Sequence, residues 1–268
     1  MDALILLIQA VLIFGVAFIY SNLGLGGGLL FVPILLSTGV PDKDLAVPIS
    51  LTLTIATATS SVINHHRHGL VDFRLGGVLL AGALLGAVVG TVFTLKVLDQ
   101  RTFEEFFAAV LIVFGIYMVR DWMKNARSVD EDDDSAMTPP RVAATAAATT
   151  GSGFLPGSMG IGGGLLNVPL LVYVLGRKTR KAIGTSSLLI IPTAAVGFVA
   201  YVVDLALRPR GFAWPPEFVL IPILMPVVFA GAYIGSRWGL ETLRTRSVAL
   251  IFIIVLFIAA AKLVFDLL

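Results

Sequence analysis

The chain has 268 residues, 57% of them hydrophobic and 13% charged, with a formal net charge of +2 and a mean hydropathy of +0.95. A soluble globular chain carries about 25% charged residues, so this one lacks the polar surface that a water-soluble enzyme or nucleic-acid-binding domain needs. It also has no basic field to hold nucleic acid. The absence of cysteine removes disulfides, thiolate metal sites, iron–sulfur clusters and cysteine nucleophiles. This is the composition of an integral membrane protein.

A helix needs about 20 mostly apolar residues to cross a hydrocarbon core of about 30 Å. The first apolar stretch runs from Ala3 to Gly39 and is broken by a glycine cluster. It has no basic residues ahead of it, unlike a signal peptide. Leu45 to Ile63, Gly76 to Leu95 and Phe106 to Val119 follow. Met123 to Pro140 is polar, holds the run Asp130-Glu131-Asp132-Asp133-Asp134 and ends in Pro139-Pro140, which reads as a solvated linker. Val142 to Gly176 is a second glycine-broken block. Ala182 to Val203, Phe218 to Ile234 and Val248 to Leu263 complete the series, with a Pro-rich connection from Arg208 to Pro216.

The chain repeats itself. Shifted by 136 residues, Gly24-Leu25-Gly26-Gly27-Gly28-Leu29-Leu30-Phe31-Val32-Pro33 lies over Gly160-Ile161-Gly162-Gly163-Gly164-Leu165-Leu166-Asn167-Val168-Pro169. Nine of the thirteen positions from Gly24 and Gly160 are identical, and Ala46 and Ser50 fall over Ala182 and Ser186. Further on the shift becomes 145, which places Gly86, Gly90 and Arg101 over Gly231, Gly235 and Arg246. Internal repeats of this kind are common among secondary transporters.

The glycine-broken block decides the topology. As one bent span it gives four crossings per half and parallel halves; as two helices it gives five per half and inverted halves. Cytoplasmic loops carry an excess of Lys and Arg. Four spans per half divide these residues nine against ten, whereas five per half divide them thirteen against six. The second count has a sign, with the linker cytoplasmic and both termini outside. Gly24 to Gly39 is 16 residues, about 24 Å as α-helix, so a re-entrant hairpin stays open beside a full span.

The expected fold is therefore an all-α membrane protein of two homologous helical halves, inverted repeats of about five helices each with a Gly-rich broken hairpin. Residues 1–122 form the N-terminal repeat, 123–140 the charged linker and 141–268 the C-terminal repeat.

Glycines inside a helix cost about 1 kcal/mol each relative to alanine, and broken backbone at membrane depth is tolerated only inside protein or beside water. A glycine turn before a helix start exposes N–H groups at the positive end of the dipole, which suits an anion. Gly24, Gly26, Gly27 and Gly28, with Gly160, Gly162, Gly163 and Gly164, are thus candidates for substrate binding, and close helix packing is the competing reading. For Gly86, Gly90, Gly231 and Gly235 the spacing favours packing alone. Asn22 and Ser158 stand at equivalent positions before the glycines, as caps or substrate contacts. Ser50, Thr52 and Thr54 in one helix, and Thr185, Ser186 and Ser187 in its counterpart, can donate to an oxyanion or bond their own helix.

No acidic or basic residue sits centrally in any block, which weakens proton coupling. His65, His66 and His68 with Arg67 close one span and read as interface or head-group contacts rather than a metal site. No catalytic constellation and no cofactor motif is present. A membrane scaffold is the alternative to a transporter, and costly helix breaks argue against it.

The duplicated Gly-Leu-Gly-Gly-Gly-Leu-Leu-x-Val-Pro and Gly-Ile-Gly-Gly-Gly-Leu-Leu-x-Val-Pro segments resemble those of the sulfite exporter TauE/SafE family of membrane permeases. The resemblance covers essentially the whole chain, including the Gly86-xxx-Gly90 and Gly231-xxx-Gly235 spans. It implies transport of a small sulfur-containing anion such as sulfite or an organosulfonate across a bacterial or archaeal plasma membrane. The partners expected are that anion and membrane lipid, with a homodimer open and no nucleic acid. Asn167 stands where the other copy has Phe31, so the two sites need not be chemically equal.

Overall fold

The computed structural model describes residues 3–123, 131–207, 214–241 and 245–267. Linker residues Lys124, Arg127 and Asp130, together with Arg208, Arg210 and Arg244, lie outside these. The described residues form no strand. In chain order the helices are α1 (Ala3–Tyr20), α2 (Gly28–Ser37), α3 (Lys43–Arg67), α4 (Phe73–Val97) and α5 (Gln100–Met123). They continue as α6 (Pro139–Met159), α7 (Gly164–Pro169, running on as a π-helical stretch Leu170–Val174), α8 (Thr179–Leu207), α9 (Leu220–Glu241) and α10 (Thr245–Leu267). Among the described residues six helices are long and apolar enough to cross a membrane, namely α1, α3, α4, α5, α8 and α9 with the turn before it. The protein is a multi-pass α-helical membrane protein.

Local chemistry sets the helix starts. Asp42 accepts from the Leu45 N–H at 3.1 Å and Asp72 from the Leu75 N–H at 2.9 Å, each satisfying a donor that a first turn leaves orphaned. Pro139 and Pro140 open α6 rather than closing the linker, because proline's fixed φ and missing N–H suit a first helical turn. The repeat is carried into the elements. α1, α2 and α3 begin 136 residues before α6, α7 and α8, and α5 begins 145 before α10.

The halves are interleaved rather than side by side. α4 packs on α6 and α8, α9 packs on α1 and α3, α3 crosses α8, and α5 lies along α10. Glycine makes these contacts close. A Cβ on Gly82, Gly86 or Gly90 of α4 would overlap the carbonyl of Ala146, Thr150 or Phe154 of α6. Gly153 and Gly157 of α6 stand equally close to the carbonyls of Ala83 and Ala87. On the other side, Gly231 and Gly235 of α9 meet the Phe14 and Phe18 carbonyls of α1. Small residues that let backbones approach are the main attraction between helices in lipid.

α3 is the most enclosed of the six long apolar helices, with 78% of its apolar stretch buried against 28% for α5. α3 and α8 run antiparallel. Leu51 meets Gly197, Ser61 lies 3.1 Å from Ser187 through their hydroxyls, and His65 stands against Gly184. α4 and α6 run parallel, and so do α1 and α9.

The linker is less solvated than its composition implies. Asp133 donates its N–H to the Gly176 carbonyl at 2.8 Å, and Asp132 accepts from the Lys178 N–H and from the Lys181 ammonium, each at 3.0 Å. Arg177 is buried at 9% side-chain exposure, 2.9 Å from Asp134 and 3.7 Å from Asp72. Arg177 thus clasps both the acidic run and the α3–α4 turn to the α7–α8 turn. Partial burial pushes the Asp132 carboxyl up, but the Lys178 N–H and the Lys181 charge outweigh it and hold it below the ordinary aspartate range.

Candidate functional site

Two interruptions of helix form the centre of the molecule. In the first, α1 ends at Tyr20 and α2 begins at Gly28. Gly24, Gly26 and Gly27 all take positive φ, at 67°, 80° and 95°, a region that only glycine enters freely. In the second, α6 ends at Met159, Gly160 takes φ 70° with its N–H on the Pro156 carbonyl at 2.9 Å, and α7 begins four residues later.

The two breaks lie back to back. A Cβ on Gly28 would overlap the Gly160 carbonyl oxygen, and one on Gly164 would overlap the Gly24 carbonyl oxygen. A Cβ on Gly162 would stand 2.5 Å from the Leu25 oxygen. The Gly28–Gly160 and Gly164–Gly24 pairs are each other's image under the repeat. The hydrogen bonds obey the same exchange: Ser50 donates to the Gly160 carbonyl at 3.1 Å, and Ser186 donates to the Gly24 carbonyl at 2.9 Å. The breaks also lie at mid-length of α3, since Thr54 touches the Cβ positions of Gly26, Gly28 and Gly162. Every residue from Gly24 to Pro33 is buried, and so is every one from Ser158 to Leu165.

The sequence candidates divide by what they bond. Thr52 donates to the Ile49 carbonyl at 2.7 Å, Ser158 to Leu155 at 3.3 Å and Ser187 to Ile183 at 3.0 Å. Asn22 donates to the Phe18 carbonyl at 2.8 Å and presses its oxygen on Gly239 of α9. Thr185 accepts the Asp72 N–H at 3.0 Å, outside the breaks. Ser50 and Ser186 instead donate across to break carbonyls of the other half. The N–H groups of Gly26, Gly27 and Gly28, and of Gly162, Gly163 and Gly164, have no hydrogen-bond acceptor among the described residues. These are the orphan donors of two helix starts, and buried orphan N–H groups are rare in native proteins.

Two oxygens stand at the breaks without a partner. Thr54 Oγ1, fully buried, lies 2.9 Å from the Cβ position of Gly28, and Asn167 Oδ1 belongs to a side chain 2% exposed whose nitrogen is 3.4 Å from the Cβ position of Gly163. Helical spacing separates Thr54 from its neighbour Thr52. Ser50, Thr54, Thr57, Ser61 and His65 recur at three and four residues and share one face of α3, whereas Thr52 faces away. His65 is also not at an interface. It is 2% exposed, because Gly184 lets α8 approach and the α3–α4 turn folds over it. Among the described residues, no group of three His, Cys, Asp or Glu stands close enough to hold a metal.

No solved structure matches this chain. A family model for the sulfite exporter TauE/SafE matches residues 9–263. Among curated relatives, a probable membrane transporter protein of Bacillus subtilis, YunE, is 23% identical over 92% of both chains. A second from that bacterium, YdhB, is 25% identical over 87% of this chain and 89% of its own. The probable membrane transporter protein MJ0441 of Methanocaldococcus jannaschii is 24% identical over 88% of this chain and 86% of its own. With ten α-helices among the described residues and a family match that runs from α1 to α10, the chain belongs to the sulfite exporter TauE/SafE family of membrane transporters.

Proposed function

We propose that this protein carries a small oxyanion across the bilayer by alternating access between two inverted halves, and that the passenger is sulfur-containing, such as sulfite or an organosulfonate. The observation that carries the reading is the pair of buried breaks, back to back at mid-length of α3, with unpaired N–H groups in both. Helix starts that meet inside a bundle concentrate positive dipole ends on a charge that brings no side-chain partner with it. The antiparallel run of α3 and α8, counterparts under the repeat, supports inversion.

In this mechanism Gly24, Gly26, Gly27 and Gly28 and Gly160, Gly162, Gly163 and Gly164 form the contact surface, and their N–H groups replace the water around the anion. Ser50 and Ser186 hold the breaks in place through the carbonyls opposite, while Asn22, Thr52, Ser158, Thr185 and Ser187 shape the helix ends around them. Rocking of one half against the other exposes the site to each side in turn. Positive charge in the loops supports a cytoplasmic linker, with the termini outside.

The test is flux into proteoliposomes with labelled sulfite, sulfate, sulfoacetate and a neutral solute. Saturable movement of an anion but not of the neutral solute is expected. Replacing Gly27 or Gly163 by leucine should abolish it in protein that still inserts. Absence of flux for every solute would favour a scaffold. Because the chain has no cysteine, a single cysteine placed in the linker reports orientation directly, and labelling from the outside would reverse the topology.

A further inference from the structure

The polar face of α3 does not stop at the breaks. Below Thr54 it continues through Thr57 and Ser61 to His65, on the side of the membrane where the linker clasp sits. Ser61 donates to the Ser21 carbonyl at 3.2 Å, in the first residue of the first break, and lies 3.1 Å from the Ser187 hydroxyl of α8. His65 Nδ1 is 3.3 Å from the Ser61 hydroxyl and 2.8 Å from the Ser61 carbonyl. All three side chains are at most 2% exposed. A carbonyl only accepts, so Nδ1 of the neutral ring carries the hydrogen and Nε2 is left as the acceptor. No hydrogen-bond partner meets Nε2 among the described residues.

A titratable ring buried one hydroxyl away from a helix break is costly as a purely structural element. A leucine or glutamine would fill the position without the risk of burying a charge. An imidazole is the side chain whose charge changes near neutral pH, and a proton on it would offset the negative charge of a passenger held at the break. The groups around it are His68 on its own helix and Arg180 on α8. Asp72 lies where the α3–α4 turn meets Thr185. Tyr20 closes α1, and Tyr233 of α9 is bonded to Arg67 and Asn64. No carboxylate is hydrogen-bonded to the ring, and Asp72, on the turn beside it, is paired with Arg177 at 3.7 Å, so the carried anion brings a negative charge that is not already neutralised.

We propose that His65 is the proton site of the transport cycle: Nε2 takes up one proton when the anion occupies the breaks, and the pair crosses together. The link runs through Ser61, which joins the ring to the first break and to α8. This rests on the transport reading above and adds the coupling ion to it. No bond other than N–H is made or broken, and the proton comes from and returns to bulk water.

The experiment uses proteoliposomes holding a trapped pH dye, with sulfate and a simple alkyl sulfonate as probes because neither changes charge in the neutral range. Wild-type protein is expected to move protons in proportion to anion and to accumulate the anion down an imposed pH gradient. His65→Gln, which keeps a donor in place, should retain counterflow exchange while proton movement and gradient-driven accumulation fall at least tenfold. Ser61→Ala should reduce the same two signals and leave exchange intact, which keeps the test available if the histidine variant fails to fold. Anion transport by wild-type protein without accompanying proton movement, or a His65→Gln protein that still concentrates anion, overturns the inference alone. Wild-type protein that carries neither probe nor sulfite defeats the transport reading and this inference with it.

Discussion

The two helix breaks are copies in sequence but not in conformation. The first needs three glycines at positive φ before α2 begins, and the second needs one. Gly27 at φ 95° stands 2.6 Å, measured from its Cβ position, from the Phe31 ring, while its counterpart Gly163 sits at φ −66° beside Asn167. Thr54 at the first break has Ile190 as its counterpart. Duplication thus preserved the backbone contacts between halves and let the side chains diverge, so one break is lined by a phenyl ring where the other has an amide. The reciprocal contacts are common to both copies, and the differences leave the two helix starts chemically unequal.

The sharpest way to break that comparison is at the shared contacts. Gly28→Ala and Gly164→Ala should each drive a methyl into a carbonyl oxygen of the other half. Because both neighbours are backbone, the cost should exceed the roughly 1–3 kcal/mol typical of overpacking. Loss of monodisperse protein in detergent is expected from both, and if either variant is recovered at wild-type yield the close approach is not required.

The next effect lies on the clasp. Arg177→Ala removes a buried guanidinium that faces Asp72, Asp132 and Asp134, and about 2 kcal/mol is expected from the charged hydrogen bonds lost. In the corresponding turn of the other half, the equally buried Lys43 pairs among the described residues with its neighbour Asp44, 2.8 Å away. Lys43→Ala, which loses one ion pair rather than three, should cost less than Arg177→Ala, about 1.5 kcal/mol. Thermal unfolding in nanodiscs ranks the two, and equal effects would remove the distinction between the faces.

Ser50→Ala and Ser186→Ala should each cost about 1 kcal/mol, since each loses one buried hydrogen bond to a carbonyl. Near-equal shifts sharpen the reciprocity, and a difference of several fold would show that only one break is held this way. The smallest effect concerns pH. Asp132 is depressed in the folded state, so its contribution is fully present above the unfolded aspartate pKa and is lost as pH falls through the lower folded value. Melting temperature should drop on acidification below about pH 4, and Asp132→Asn should remove that component of the slope.

Much of this architecture is legible in the sequence because its signals are local. The breaks follow from glycine, and the equivalence of halves from the 136 and 145 shifts, which reappear in the starts of α1, α2, α3 and α5 and their counterparts. The packing role of Gly86, Gly90, Gly231 and Gly235 is local too, since it rests on a four-residue spacing. What is not legible is register between distant segments. That Ser50 reaches Gly160, 110 residues away, depends on how far α3 slides along the second break, and no spacing within α3 encodes it. For the same reason the acidic run reads as solvated, although its partners wait at Arg177 and Lys181. His65 reads as interfacial from its place at a span's end, because its burial comes from Gly184 on another helix.

The glycine seam between α4 and α6 carries a consequence for biogenesis. α4 is complete in the nascent chain some 40 residues before α6 begins, so its row of bare backbone has no mate while the first half leaves the translocon. α1 likewise waits for α9. Each half thus presents close-packing backbone whose mate lies in the other, so the two are expected to mature together. A gene split at the linker, 123–140, would have to deliver both products to the same patch of bilayer at the same time.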